Sequence, residues 1–469
     1  VGVNWSNGLA ESGIDRSELE SALTIVQSQL NPDLPELPVI IENEIDDEID
    51  LLDWLRLQRG FPKVFWCSRD GSIEIAGIGA LMSVDARSRQ DLAECLDRVE
   101  RILNACPEVP VRLIGGISFG KRHEGDRVWS RFPFAQYIIP RMAIVKQSGR
   151  SFRVAGVAVG SDTSVTDAMR SLSSICESSP QVAYTQYGTI DATVNSRSDT
   201  PGLDVWREQV SHVTSEIDDG VYDKVVLARR TDISVDEHFD AIRFLTELRC
   251  DSRNTFSFLF QPAESHAFLS LTPERLVSYL NGVLHCDALA GTVRKGEDDI
   301  QSRVRAEELL SSAKDRREHS FVEEDVRRKL EVLCGGQIEQ EELSILELSN
   351  VLHLRSAFSG RSSERPTLSR LISSFHPTPA VGGCPWDRAS RVIERYESFD
   401  RGWFAGPIGL VSRNIIDIAV GIRSAVISKD LLSIFAGAGI VAGSQPSAEW
   451  QELEYKISPL LRSLGGVLV

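Results

Sequence analysis

Residues 435–456 read FAGAGIVAGSQPSAEWQELEYK. The hydrophobic period changes inside this stretch, and the change points to the fold class. Up to Val441 the run is short, apolar and punctuated by glycine, which reads as a strand over Leu432–Val441. Gly443-Ser-Gln-Pro446 then breaks it. From Ser447 to Leu464 the apolar residues recur at helical spacing, with Ser447 as the expected N-cap and Glu449 in the first turn. Gly437-Ala-Gly439-Ile-Val-Ala442 fits the dinucleotide pattern G-x-G-x-x-A. That site needs a helix opening at the glycines within a βαβ unit, and here the helix starts too late. What survives is a weaker inference: glycines after a strand let a ligand approach the backbone closely. On the helix, Glu449 and Glu452 lie three apart and Lys456 four beyond Glu452, so they share a face.

Upstream, Asp417–Ser428 reads as the other arm of a hairpin with Leu432–Val441. Phe256–Phe260 and Ala267–Leu271 read as a strand pair, and Val221–Arg230 as a strand. Ile300–Leu333 reads as one long polar helix, and on it Asp315 and Glu318 share a face at i and i+3. Between Lys63 and Arg153 short β-like runs surround a helix near 90–105. Gly115-Gly-Ile-Ser-Phe-Gly120-Lys121-Arg122 approaches a phosphate-binding loop, but Arg122 stands where Ser or Thr should hold Mg²⁺ and no helix follows. Residues 31–50 read as an acidic, proline-bearing surface linker before a short helix around Asp50–Gln58. Residues 179–203, polar and rich in Ser and Thr, are the expected internal boundary. The division that follows is an N-terminal extension and linker over 1–60, a first half of the fold over 61–205 and a catalytic region over 206–469. The fold class is α+β, a large layered sandwich of mostly antiparallel sheets flanked by helices.

The 469 residues carry a formal charge of −17. Such a surface argues against nucleic acid and anionic membranes as partners, and an anionic substrate would need local cations or a metal. No apolar run is long enough to span a bilayer, and the first residues do not look like a signal peptide. The eight cysteines show no C-x-x-C pair, which implies reduced thiols and no zinc site. The chain starts with Val, consistent with a processed or excised form.

Several residues suit chemistry. Two helices, each with a pair of acids, could meet around one divalent cation; oxygen ligands favour Mg²⁺ over zinc. Solvated faces with ordinary ion pairs are the alternative. Lys224 opens KVVLARR and shares a face with Val226 and Ala228; in a pocket it could act as a base, and otherwise it is a solvated strand end. Glu274, in LTPERL, either caps a turn or is a carboxylic acid kept protonated by its pocket. Arg423, on the expected strand IAVGIRSAV, shares a face with Ala419 and Gly421, where small neighbours leave room for a carboxylate.

Taken together, the segments KVVLARR (224–230), TPERL (272–276), ALAGT (288–292), KDRREH (314–319), HPTPAVGG (376–383), ESFDRGWFAGPIG (397–409), AVGIRSA (419–425) and 435–456 resemble the chorismate-utilising enzymes, in the family's order. The resemblance implies the anthranilate synthase-like fold. It implies that Glu318 and Glu452 hold one Mg²⁺, with Asp315 and Glu449 supporting through water, and that the metal binds the ring carboxylate of chorismate. Arg423 and Gly439 would hold the enolpyruvyl carboxylate. Gly291, Thr292, His353, Gly437 and Lys456 would complete the pocket. Amine-transferring members resemble this chain but carry Gln in place of Lys224, or a lysine in place of Ala290. The resemblance therefore implies water as nucleophile, Lys224 as base and Glu274 as acid, and an isochorismate synthase most like the menaquinone and phylloquinone type.

Three alternatives stand beside that reading: a salicylate synthase that goes on to eliminate pyruvate, an amine-transferring enzyme, and a catalytically silent binding or scaffold homologue. The expected partner is the small molecule chorismate alone. The expected state is a monomer or one module of a larger pathway enzyme, located in a bacterial cytoplasm or a plastid stroma.

Overall fold

The structure is a computed structural model. It describes residues 16–464 apart from 47, 108, 121–125, 178–195, 236–238 and 251. Most of the expected boundary at 179–203, and Lys121-Arg122 of the phosphate-loop look-alike, lie outside the described residues.

The twenty described strands join through hydrogen-bonded ladders into one continuous sheet system. Its pairings are antiparallel, as the alternating runs imply. They cross between the early and late parts of the chain: Lys63–Cys67 pairs with Phe256–Ala263, and Arg112–Ile117 with Pro407–Ser412. The interior centres on aromatic rings. Trp403 is fully buried and meets Phe132, Phe260, Phe258 and Phe268 with centroids 5.2–6.4 Å apart. Its indole nitrogen donates to the Pro133 carbonyl at 3.1 Å, so burial leaves no orphaned donor. The 397–409 stretch thus runs through the core.

Local structure departs from the sequence reading in four places. The 31–50 segment is not a linker: Leu37–Ile45 is a strand paired along its length with Arg150–Val159, its apolar half buried. The expected helix after it spans Leu51–Leu57 and is capped by the Asp50 carboxylate. The long helix is two, Asp299–Ser311 and Ala313–Leu333, broken at Ser312. Ser312 is extended, and its hydroxyl caps the Asp315 N–H, a competition between side chain and backbone that polar periodicity hides. The C-terminal helix, Pro446–Arg462, has Gln445 rather than Ser447 at its N-cap; Pro446 starts it, because a proline there loses no helical hydrogen bond.

The fourth departure reaches the site. Ile415–Val420 and Ser424–Ser428 are separate strands, and only the second forms the expected hairpin, with Leu431–Ile440. Arg423 lies between them with φ of 50°, in the left-handed region. Its neighbours enforce this: Gly421 N–H donates to Gly406 O, Ser270 Oγ to Ile422 O and Leu271 N–H to Arg423 O. Arg423 therefore owes its direction to a turn, not to strand alternation.

Candidate active site

Three elements bring charge to one place. The Lys224–Ser234 strand pairs with Leu431–Ile440, on which the C-terminal helix packs, while the Glu318 helix packs on the strands Val283–Arg294 and Val351–Arg361. The site is a cleft with about 690 Å³ of empty space. Glu274, Gly291, Thr292, Glu318, His353, Arg423, Gly437, Gly439 and Lys456 all line it. Lys224 has no exposed surface and stands behind Glu318, its Nζ 3.0 Å from Oε1. Asp315, Glu449 and Glu452 are not part of the lining, and Asp315 and Glu449 each feel the charge of Glu452.

Glycine is required at two points. Gly291 has φ of 77° and sits where the ladder between Val283–Arg294 and Val351–Arg361 slips by one residue. The bulge brings Thr292 opposite His353, with Thr292 Oγ1 3.0 Å from His353 Nδ1. At Gly439 a Cβ would stand 2.4 Å from Glu318 Oε1 and 3.0 Å from Lys224 Cε, so only glycine leaves the ion pair in place.

The carboxyl groups divide into two environments. Burial pushes Glu274 up to about 7; the Thr378 hydroxyl, donating to Oε1 at 3.3 Å, works against that rise, as does the charge of Lys224. Burial also works to raise Glu318, yet Lys224, Lys456 and Lys314 together hold it below its ordinary value. Burial, then the charge of Glu452, raises Glu449 despite Lys314 at 2.9 Å. Burial raises Asp315 as well, against its bond from Ser312. Lys456 bridges Glu452 Oε1 at 2.6 Å and the Gly437 carbonyl at 2.8 Å.

On the Arg423 side the groups fix one another. Arg423 only donates, so His353 Nε2, 3.1 Å from Arg423 Nη2, must accept. The histidine proton then belongs on Nδ1, facing Gly291 O at 3.2 Å and Thr292. Burial first, then Arg423, holds this imidazole well below its usual range and so neutral. Burial lowers Arg423 itself to about 10.

Among the described residues no three His, Cys, Asp or Glu side chains are gathered closely enough to hold a metal ion as they stand. The donor chemistry nonetheless suits a hard cation. Four carboxylates from two helices adjoin the cleft, and lysines or a hydroxyl hold each of them.

Sequence reasoning missed Thr378 and Arg401. Both lie in quoted segments, HPTPAVGG and ESFDRGWFAGPIG, but nothing in their spacing marks them. Arg401 lines the cleft, yet it is fully engaged by Glu397 and by the Val226 and Val381 carbonyls. Its role is to hold the wall.

A layered antiparallel fold with this charged cleft defines a class, and comparison identifies it. A family model described as chorismate binding enzyme matches residues 32–465. The chain belongs to the chorismate-binding enzyme family. It is 31% identical over 456 residues to isochorismate synthase 2, chloroplastic, of Arabidopsis thaliana, covering 91% of this chain and 80% of that protein. It is 29% identical to isochorismate synthase MenF of Escherichia coli K12, covering 94% and 98%. The solved structure of MenF, the menaquinone-specific isochorismate synthase from E. coli, matches with a TM-score of 0.79 at 28% identity over 95% of this chain and 99% of that one. Anthranilate synthase component I from Streptococcus pneumoniae shares the fold, with a TM-score of 0.70 at 19% identity, covering 89% and 100%.

Proposed function

We propose that the chain is an isochorismate synthase: it adds water at C2 of chorismate, shifts the ring double bond and releases the C4 hydroxyl as water. One observation carries the reading. A base-capable amine (Lys224, through Glu318), a carboxyl raised to about 7 (Glu274) and a guanidinium without a carboxylate partner among the described residues (Arg423) converge on one cleft.

Lys224 takes a proton from water as the oxygen attacks C2. Glu274, protonated, gives its proton to the leaving C4 hydroxyl. Each role contributes about 10²–10⁴-fold in rate. Arg423 binds the enolpyruvyl carboxylate, with the Gly439 backbone beside it; Gly291, Thr292, His353, Gly437 and Lys456 shape the rest of the pocket. Glu318 and Glu452 would hold Mg²⁺, with Asp315 and Glu449 supporting through water. When bound, the ion would neutralise the substrate's ring carboxylate. Chorismate incubated with the protein and Mg²⁺, with and without EDTA, tests the reading by product chromatography. Isochorismate without pyruvate, abolished by EDTA, is expected. Fluorescent salicylate with pyruvate would instead show a lyase step, and unchanged chorismate would sink the proposal.

No helix among the described residues is long and apolar enough to cross a membrane. The relatives include chloroplastic and bacterial proteins. The reading places this chain at the supply of isochorismate for quinone or salicylate synthesis, in a bacterial cytoplasm or a plastid stroma.

A further inference from the structure

Behind Arg423 lies a second cavity, with about 420 Å³ of empty space, that shares Arg423 and Lys456 with the main cleft. Its wall goes against the overall charge. In a chain of net −17, it contains three cations (Arg253, Arg423 and Lys456) and no Asp or Glu among the described residues. Leu248, Leu271, Leu348 and Leu460 make the rest of it largely apolar. Past Arg253, Leu348 and Ser349 it adjoins a surface depression lined by Lys295 and Arg462. The one acid in that lining, Glu347, is already paired with Lys295 at 2.5 Å.

Arg423 is the deciding group. It is buried, and its described contacts are the neutral His353 ring at 3.1 Å and the Lys456 carbonyl at 3.5 Å. A guanidinium without a carboxylate in a desolvated wall keeps strong, directed donor capacity for one. A recess with apolar walls and a few convergent polar groups has the build of a small-molecule site.

We propose that this rear cavity binds a small monocarboxylate with an apolar or aromatic body, its carboxylate between Arg423 and Arg253 and its body on the leucines. The regulatory consequence rests on the reading of the main cleft as the chorismate site. Arg423 forms part of both walls, so a carboxylate held from behind competes with the substrate carboxylate in front. Occupancy raises KM for chorismate and leaves kcat unchanged. The device would restrain the enzyme when carboxylates of this class accumulate.

Benzoate is the probe, titrated calorimetrically into the full chain and used as an inhibitor of chorismate turnover. Saturable binding and competitive inhibition are expected. Arg253 is exposed and outside the main cleft, so Arg253→Glu should weaken benzoate about tenfold, the size of one charge-assisted hydrogen bond, while kcat/KM for chorismate without benzoate stays the same. Ser349→Phe, which adds bulk at the mouth, should do likewise. Benzoate inhibition equal in wild type and both variants would put the probe in the main cleft and overturn the proposal; so would the absence of binding heat. If the wild type fails to turn over chorismate but its benzoate titration still responds to Arg253→Glu, the main-cleft reading fails and the rear site stands.

Discussion

Glu274 and Glu318 line the same cleft and are the same residue type, yet their surroundings drive them in opposite directions. Glu274 accepts from one hydroxyl, and burial outweighs that bond and the charge of Lys224, raising it to about 7. Glu318 stands among Lys224, Lys456 and Lys314 and stays ionised. A proton donor and an anionic ligand are thus made from one side chain by changing the neighbours. The difference teaches that the acidic residues of this cleft cannot be sorted by type or by depth. What separates these two is whether the surrounding cations together outweigh burial: three lysines do so at Glu318, whereas at Glu274 burial wins.

Removing each chemical group is the harshest test of that contrast. Glu274→Gln and Lys224→Ala should each lower kcat by about 10²–10⁴-fold, measured by isochorismate formation, while chorismate binding survives in calorimetry. Near-normal turnover in either variant would break the assignment. On the ionised side, Glu318→Gln and Glu452→Gln should raise the Mg²⁺ concentration for half-maximal activity by about tenfold or more. An unchanged Mg²⁺ titration would leave both as ordinary ion-pair partners. Gentler still is the pH profile. The donor is the protonated form, so activity should persist below about 7 and fall as rising pH ionises Glu274; the limb belongs in kcat/KM, which reports the free enzyme. A flat profile from pH 6 to 8 would contradict it. The smallest effect should come from Thr378→Val. The Thr378 hydroxyl works to lower Glu274, so its loss should move that limb to higher pH with kcat little changed; a downward move would reverse the assigned cause.

Periodicity carried much of the fold. The paired strands Phe256–Ala263 and His266–Thr272, the helix after Pro446 and the short helix Leu51–Leu57 were all legible, because each depends on residues close in sequence. The break at Ser312 and the strand at Leu37–Ile45 were not. In the first a side chain outcompetes a helical pattern; in the second a partner strand more than a hundred residues away decides the conformation.

For the site, residue types and spacings were enough to nominate Lys224, Glu274, Glu318, Arg423 and Glu452, and the resemblance to chorismate-utilising enzymes supplied their expected roles. They could not indicate that Arg423 arrives through a left-handed turn, that Thr378 bonds Glu274, or that Lys224 is fully buried against Glu318. Those facts involve contacts between residues roughly 90 to 150 positions apart, or a backbone angle held by such contacts. Proton affinity follows from burial and the nearest charge, and both come into being only when the sheets and helices pack.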